Sequence, residues 1–143
     1  MFIKKGASQV PFLFCYKLFP CRFARPKTTK KRMYTLHFTF EEKDLEPITI
    51  QNCPADDSIL EVALKNNIRI HHNCGGVCAC STCHVYVDAK EDSIEDLSDR
   101  EEDFIDRARS PRLNSRLSCQ CLLLNGSGEI FITVPDQSQI HGE

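Results

Sequence analysis

The chain predicts an α+β domain, a small sheet with helices packed on it. Three observations carry this expectation. Apolar and polar residues alternate in stretches near both ends of the body. Two Ser-x-x-Glu capping boxes open short helical runs between them. Turn residues such as Asn-Gly-Ser-Gly and Ser-Pro separate the pieces. At 143 residues, one domain with one ordinary core is expected.

The elements follow in order. Tyr34, Leu36, Phe38 and Phe40 alternate with Thr35, His37 and Thr39, the pattern of a half-buried strand. The polar run EEKDLEP turns the chain, and Ile48 and Ile50 resume the alternation, giving a hairpin. Ser58 and Glu61 form a capping box for a helix to about Asn67, offering Ile59, Leu60, Val62, Ala63 and Leu64 to the core. Val85 and Val87 flank Tyr86 in another short strand. Ser98 and Glu101 form the second box, with Phe104 and Ile105 turned inward. After a loop through Ser110-Pro111, two last strands are predicted around Leu122–Leu124 and Ile130–Val134.

Charge divides the chain. Residues 1–32 hold nine Lys and Arg and no acid, whereas residues 33–143 hold nine basic and all twenty acidic side chains, a net of −11. So acidic a body repels phosphate, so nucleic acid is excluded as the expected partner and a basic protein is favoured. The apolar part of the leading segment, Val10–Phe23, is interrupted by Pro11, Lys17, Pro20 and Arg22. It fits neither a membrane span nor a secretory signal, and no membrane partner is expected. Its Arg and Lys without acids suit a mitochondrial presequence, but serines are few, prolines interrupt any helix, and Met33 stands where the first strand begins. Residues 1–32 are therefore read as a disordered basic tail or an upstream start artefact, with the domain at 33–143; a presequence is the alternative.

Nine cysteines are many for this length, and an odd number leaves one unpaired in any disulfide framework. Four lie within ten residues of the stretch HHNCGGVCACSTCH, His71–His84. Crowding of this kind suits a metal centre in a reducing compartment better than separate bridges. A structural zinc site commonly takes two Cys-x-x-Cys knuckles, and only Cys80–Cys83 has that form. A thioredoxin-like pair needs a helix at its first cysteine, but Cys83 runs into strand-like residues. The bacterial 4Fe–4S run is absent. What remains is Cys74-x5-Cys80-x2-Cys83 with a fourth thiol from the Cys119–Cys121 stretch, the set a 2Fe–2S cluster needs. Spacing alone leaves Cys119 and Cys121 equivalent, since residues two apart on a strand face the same way. Gly75 and Gly76 would let the backbone approach cluster sulfide closely.

The loop CGGVCACSTCH, the acidic run DREEDFIDRA and the return SRLSCQ resemble the adrenodoxin-type 2Fe–2S ferredoxins, above all the bacterial ferredoxins of iron–sulfur-cluster assembly. The resemblance covers about Met33 to Pro135. Plant-type relatives have four residues, not five, between the first two cysteines. The resemblance implies a β-grasp fold and one 2Fe–2S cluster held by Cys74, Cys80, Cys83 and Cys119. It leaves Cys78 as a non-ligand thiol beside the cluster. Cys15, Cys21 and Cys53 are then structural or incidental, His84 a hydrogen-bonding support, and His71 and His72 loop residues.

The stretch Asp88–Asp106 carries ten acids. By resemblance, Asp103 and Asp106 are docking acids for a partner, with Glu101 and Glu102 beside them. The chain has no dinucleotide fingerprint and no nucleophile–base pair, so an electron carrier rather than an enzyme is expected. The resemblance implies a monomer reduced by a flavin-containing ferredoxin reductase. The implied acceptor is cluster-assembly machinery, with a haem-thiolate monooxygenase as the alternative. The implied location is the bacterial cytoplasm, or the mitochondrial matrix if residues 1–32 are a presequence. The competing classes are a cluster-bearing structural module and a zinc-binding interaction protein.

Overall fold

In the computed structural model, residues 33–140 are described; residues 1–32, with the question of tail, upstream start or presequence, lie outside the described residues, as do Cys15 and Cys21. The alternation near Tyr34 forms β1 (Met33–Phe40), which buries Tyr34, Leu36 and Phe38. β2 (Ile48–Pro54) pairs antiparallel with it, so the hairpin is present, with a bulge between Tyr34 and Leu36. Three further strands are β3 (His84–Asp88), β4 (Ser115–Leu117) and β5 (Gly128–Val134). The sheet order is β2-β1-β5-β3-β4, with β1 and β5 parallel and the other pairs antiparallel. This mixed sheet with its two short helices is the expected α+β, β-grasp arrangement.

α1 (Ile59–Lys65) starts on a complete capping box: Glu61 N–H donates to Ser58 Oγ at 3.2 Å and Ser58 N–H to Glu61 Oε2 at 3.0 Å. Its Ile59, Leu60, Val62 and Ala63 are buried, but Leu64, expected in the core, is 42% exposed on the solvent side of the last turn. α2 (Asp99–Ile105) is capped by Ser98, whose Oγ accepts from Glu101 N–H at 3.2 Å. The second box is only half formed, because the Glu101 carboxylate turns away from Ser98 to other donors.

One predicted strand is displaced. Residues Leu122–Leu124 make only isolated bridges, Ser58 with Leu122 and Ile94 with Leu123. Their backbone is spent on two loops instead of a ladder: Leu123 N–H donates to Asp57 O and Leu124 N–H to Ser93 O, both at 3.0 Å. The sixth element is β4, inside the stretch read as a return loop. Against β3 it places Leu117 beside His84 and Arg116 beside Val85, so the turn after β4 starts next to Cys83.

The core between sheet and helices is aliphatic and aromatic: Leu36, Phe38, Ile59, Leu117, Ile130 and Ile132 are wholly buried. Each such side chain contributes about 1.5–3 kcal/mol of transfer free energy. One glycine serves this core by size. A Cβ on Gly126 would come within van der Waals overlap of the Tyr34 hydroxyl, which the turn before β5 covers.

Candidate metal centre

The thiol-bearing loop leaves the core at Ile70 and returns at Cys83, both buried. Gly75 (φ 71°), Gly76 (φ 88°) and Cys78 (φ 51°) sit in the left-handed region, which reverses the chain within a few residues. The glycines are required by conformation rather than by crowding. A Cβ on Gly75 would meet nothing, and one on Gly76 would make ordinary contacts with Cys119 and Leu60.

This tight reversal aims backbone amides at sulfur. Burial pushes the Cys74 thiol up. Hydrogen bonds from the Ala79, Gly76 and Val77 amides, with Cys80 beside it, outweigh burial and hold it below the usual thiol range. On the other side, Cys83 Sγ donates to Cys119 Sγ at 3.4 Å. That bond, with Gln120 Nε2 donating at 3.4 Å and the Cys78 amide, lowers Cys119 against the effect of burial. Cys83 is pushed up by the same pairing and by burial. Cys83 thus pairs with Cys119 across the fold, while Cys80 stands beside Cys74 within the loop.

Among the described residues no three His, Cys, Asp or Glu side chains form a group that could hold one metal ion. Thiols gathered two and two, with amides pointed at their sulfurs, fit a binuclear iron–sulfur group, whose electron-rich sulfur accepts such hydrogen bonds.

Cys119 and Cys121 do not face the same way, contrary to the strand expectation. Residues 118–120 form a turn in which Gln120 N–H donates to Leu117 O at 2.8 Å. The turn sends Cys119 to Cys83 and Cys121 into the core, where burial raises its thiol to about 12. Cys78 is also buried, its thiol raised by burial and then by Cys119. Cys53 is buried with Sγ donating to Ile50 O at 3.7 Å, a structural thiol. His84 Nε2 lies 2.7 Å from Ser115 Oγ, and Ser115 Oγ accepts from Arg112 N–H at 2.7 Å, joining β3 to the loop before β4. His72 Nδ1 donates to Ile70 O at 2.8 Å within the loop.

The acidic helix divides. Glu102, Asp103 and Asp106 are exposed, the last two on neighbouring surface positions of one helical face. Glu101 is not available for docking: at 1% exposure it is one of the most buried residues in the protein. Its carboxylate accepts from Arg116 Nε at 2.9 Å, Arg116 Nη2 at 3.1 Å and Leu117 N–H at 2.8 Å. It ties α2 to β4, two residues before Cys119. Sequence reasoning missed Arg116, the partner of Glu101, and Gln137, whose carboxamide bonds His71 and Thr82 at the two ends of the thiol loop. Arg116 stood within the return motif without a visible partner, and Gln137 gave no signal. Among the described residues, no helix is long and apolar enough to cross a membrane.

A small β-grasp domain presenting two pairs of thiols beside an acidic helix is the form of an iron–sulfur electron carrier. The comparisons agree. A family model described as a 2Fe–2S iron–sulfur cluster binding domain matches residues 43–124. A 2Fe–2S ferredoxin of Haemophilus influenzae is 44% identical over 85 residues, 59% of this chain and 74% of that protein. The mitochondrial adrenodoxin homolog of Saccharomyces cerevisiae is 35% identical over 105 residues, 73% of this chain and 60% of that protein. Among solved structures, the ISC-like 2Fe–2S ferredoxin FdxB of Pseudomonas putida superposes with TM-score 0.64 at 35% identity, covering 72% of this chain and 93% of that one. Putidaredoxin in its covalent complex with putidaredoxin reductase gives TM-score 0.59 at 28% identity, covering 71% and 98%. The chain belongs to the 2Fe–2S ferredoxin family, as an adrenodoxin-type member. It is an electron-transfer protein rather than an enzyme, and its cofactor is one 2Fe–2S cluster, which supplies one-electron chemistry when bound.

Proposed function

We propose that Cys74, Cys80, Cys83 and Cys119 hold the cluster, two thiolates for each iron, and that the protein carries electrons from a flavin-containing ferredoxin reductase to iron–sulfur-cluster assembly. The observation that carries the ligand set is the two-and-two grouping, with Cys83 and Cys119 3.4 Å apart across the fold. Three of the four thiols are half-exposed, which leaves the centre within electron-transfer reach of a docked protein. Similarity to an ISC-like ferredoxin supports the assembly role, and similarity to a ferredoxin bound to its reductase supports the donor.

Docking is assigned to Glu102, Asp103 and Asp106, without Glu101. Their charges steer a basic partner face towards the side of the molecule that bears the thiol loop. The protein's own residues therefore hold the redox group, keep Cys83 out of water and orient the partner. Stopped-flow reduction of the loaded protein by a flavoprotein reductase tests the donor half. Challenge of the reduced protein with assembly machinery and, separately, with a haem-thiolate monooxygenase tests the acceptor half. Faster oxidation by the monooxygenase would replace the assembly reading. An assembly role sets the protein in the bacterial cytoplasm, or in the mitochondrial matrix if residues 1–32 are a presequence. N-terminal sequencing of protein from its natural source separates these.

A further inference from the structure

Cys74 and Cys80 lie on the loop whose ends are His71 and Thr82. Within the loop, Thr82 Oγ1 accepts from Asn73 N–H at 2.9 Å and stands 3.1 Å from Cys80 Sγ. A side chain from the far end of the protein joins the same two ends from outside. Gln137 Oε1 accepts the His71 N–H at 3.0 Å, and Gln137 Nε2 donates to the Thr82 carbonyl at 3.1 Å. Its carboxamide uses an acceptor on one loop end and a donor on the other, which fixes its orientation. The residue is 8% exposed, so water competes little for either bond.

The turn that presents Gln137 is itself preset. Asp136 Oδ1 accepts from Ser138 N–H at 2.9 Å, and Ile140 N–H donates to Gln137 O at 3.0 Å. Just before it, β5 ends where Glu41 N–H donates to Val134 O at 3.0 Å. The carboxamide is thus delivered from a hydrogen-bonded turn that directly follows β5.

We propose that Gln137 is a positioning residue for the metal centre, a two-ended staple that fixes where the thiol loop enters and leaves the core. Without it, His71 and Thr82 lose a common partner, and the spacing of Cys74 and Cys80 is set by the loop alone. Loop opening then exposes the centre to chelators and water more often than global unfolding does. The inference rests on Cys74 and Cys80 as ligands, which serine substitution at those cysteines tests separately.

The test uses the full chain loaded with its cluster. Gln137→Leu keeps bulk and removes both bonds; Gln137→Glu keeps shape and the acceptor but sets an oxygen against the Thr82 carbonyl. Loss of visible absorbance to an iron chelator should run about tenfold faster in both, the factor that the loss of one or two net hydrogen bonds corresponds to. Hydrogen exchange by mass spectrometry should quicken in the peptide spanning His71–Thr82 and stay unchanged in β1. The midpoint potential should also move, because the loop sets solvent access to the centre, and quickening confined to the loop separates this role from a general packing one. Chelator loss within about twofold of wild type in both variants, or equal quickening of exchange in β1, would overturn the proposal. Wild-type behaviour of Gln137→Glu alone would equally refute a two-ended staple, and Gln137→Asn, too short to reach both ends, repeats the test if Gln137→Leu does not fold.

Discussion

Glu101→Gln should unfold the protein early rather than weaken docking. The carboxylate accepts three hydrogen bonds, from Arg116 Nε, Arg116 Nη2 and Leu117 N–H, at 1% exposure. Arg116 is itself 12% exposed in its side chain, and its Nη2 also donates to Glu95 O at 2.8 Å. Neutralising Glu101 leaves a largely buried guanidinium without its counter-charge, a change that costs about 3–5 kcal/mol where the pair is fully buried. Glutamine keeps the shape and one acceptor, so the lower end, about 3 kcal/mol, applies. For a domain of about 100 residues, each kcal/mol lowers the melting temperature by roughly 4–8 °C, so a fall of about 12 °C or more is expected. The loaded full chain would be melted at one scan rate, because cluster loss makes the transition irreversible. Visible absorbance and far-ultraviolet circular dichroism would be followed together. Glu102→Gln, on the exposed face, should stay within about 0.5 kcal/mol of wild type. Glu101→Leu combined with Arg116→Met should recover much of the loss, since an apolar pair removes both charges at once. If Glu101→Gln melted like wild type and slowed reduction by the reductase, Glu101 would belong to the docking face and its buried ion pair would be of no consequence.

Serine at Cys74, Cys80, Cys83 or Cys119 should impair cluster loading, measured as bound iron and labile sulfide per chain. Cys121→Ser should keep the visible spectrum but melt earlier, because the new hydroxyl lies in a wholly buried site. Asp103→Asn with Asp106→Asn should slow reduction by the reductase at low salt and flatten its salt dependence, since screening shortens the reach of such charges to about 8 Å at physiological ionic strength. Equal salt slopes would reduce these acids to a solvated face. In the metal-free full chain, Cys119 is held below and Cys83 above the usual thiol range. Iodoacetamide should therefore label Cys119 before Cys83 and Cys121 near neutral pH, and labelling of Cys119 should fall as acidification protonates it; mass spectrometry of the digested chain reads the order.

What was legible in the sequence is what local pattern can carry. Alternation marked β1 and β5 because each buries every second side chain, and the box at Ser58 marked α1 because both its bonds span three residues. The pairing that makes β4 a strand was invisible, since three residues cannot establish a period and its partner β3 lies some thirty residues earlier. The same limit explains the error at Glu101. Ser98 and Glu101 have the spacing of a capping box, but spacing cannot say whether a glutamate returns to its cap or continues to an arginine 15 residues away.

The thiols divide along the same line. Cys74, Cys80 and Cys83 are legible because one loop must supply them and their spacing records its path. Cys119 is not separable from Cys121 by spacing, because the answer depends on a turn at 118–120 closed by Leu117, Cys83 and Glu101 together. Gln137 is the extreme case, with partners 55 and 66 residues away and no motif of its own. Chemistry-bearing groups announce themselves by residue type, whereas the groups that hold them still are chosen by position in space. The residues missed are therefore the ones expected to act on the lifetime and potential of the centre rather than on whether it forms.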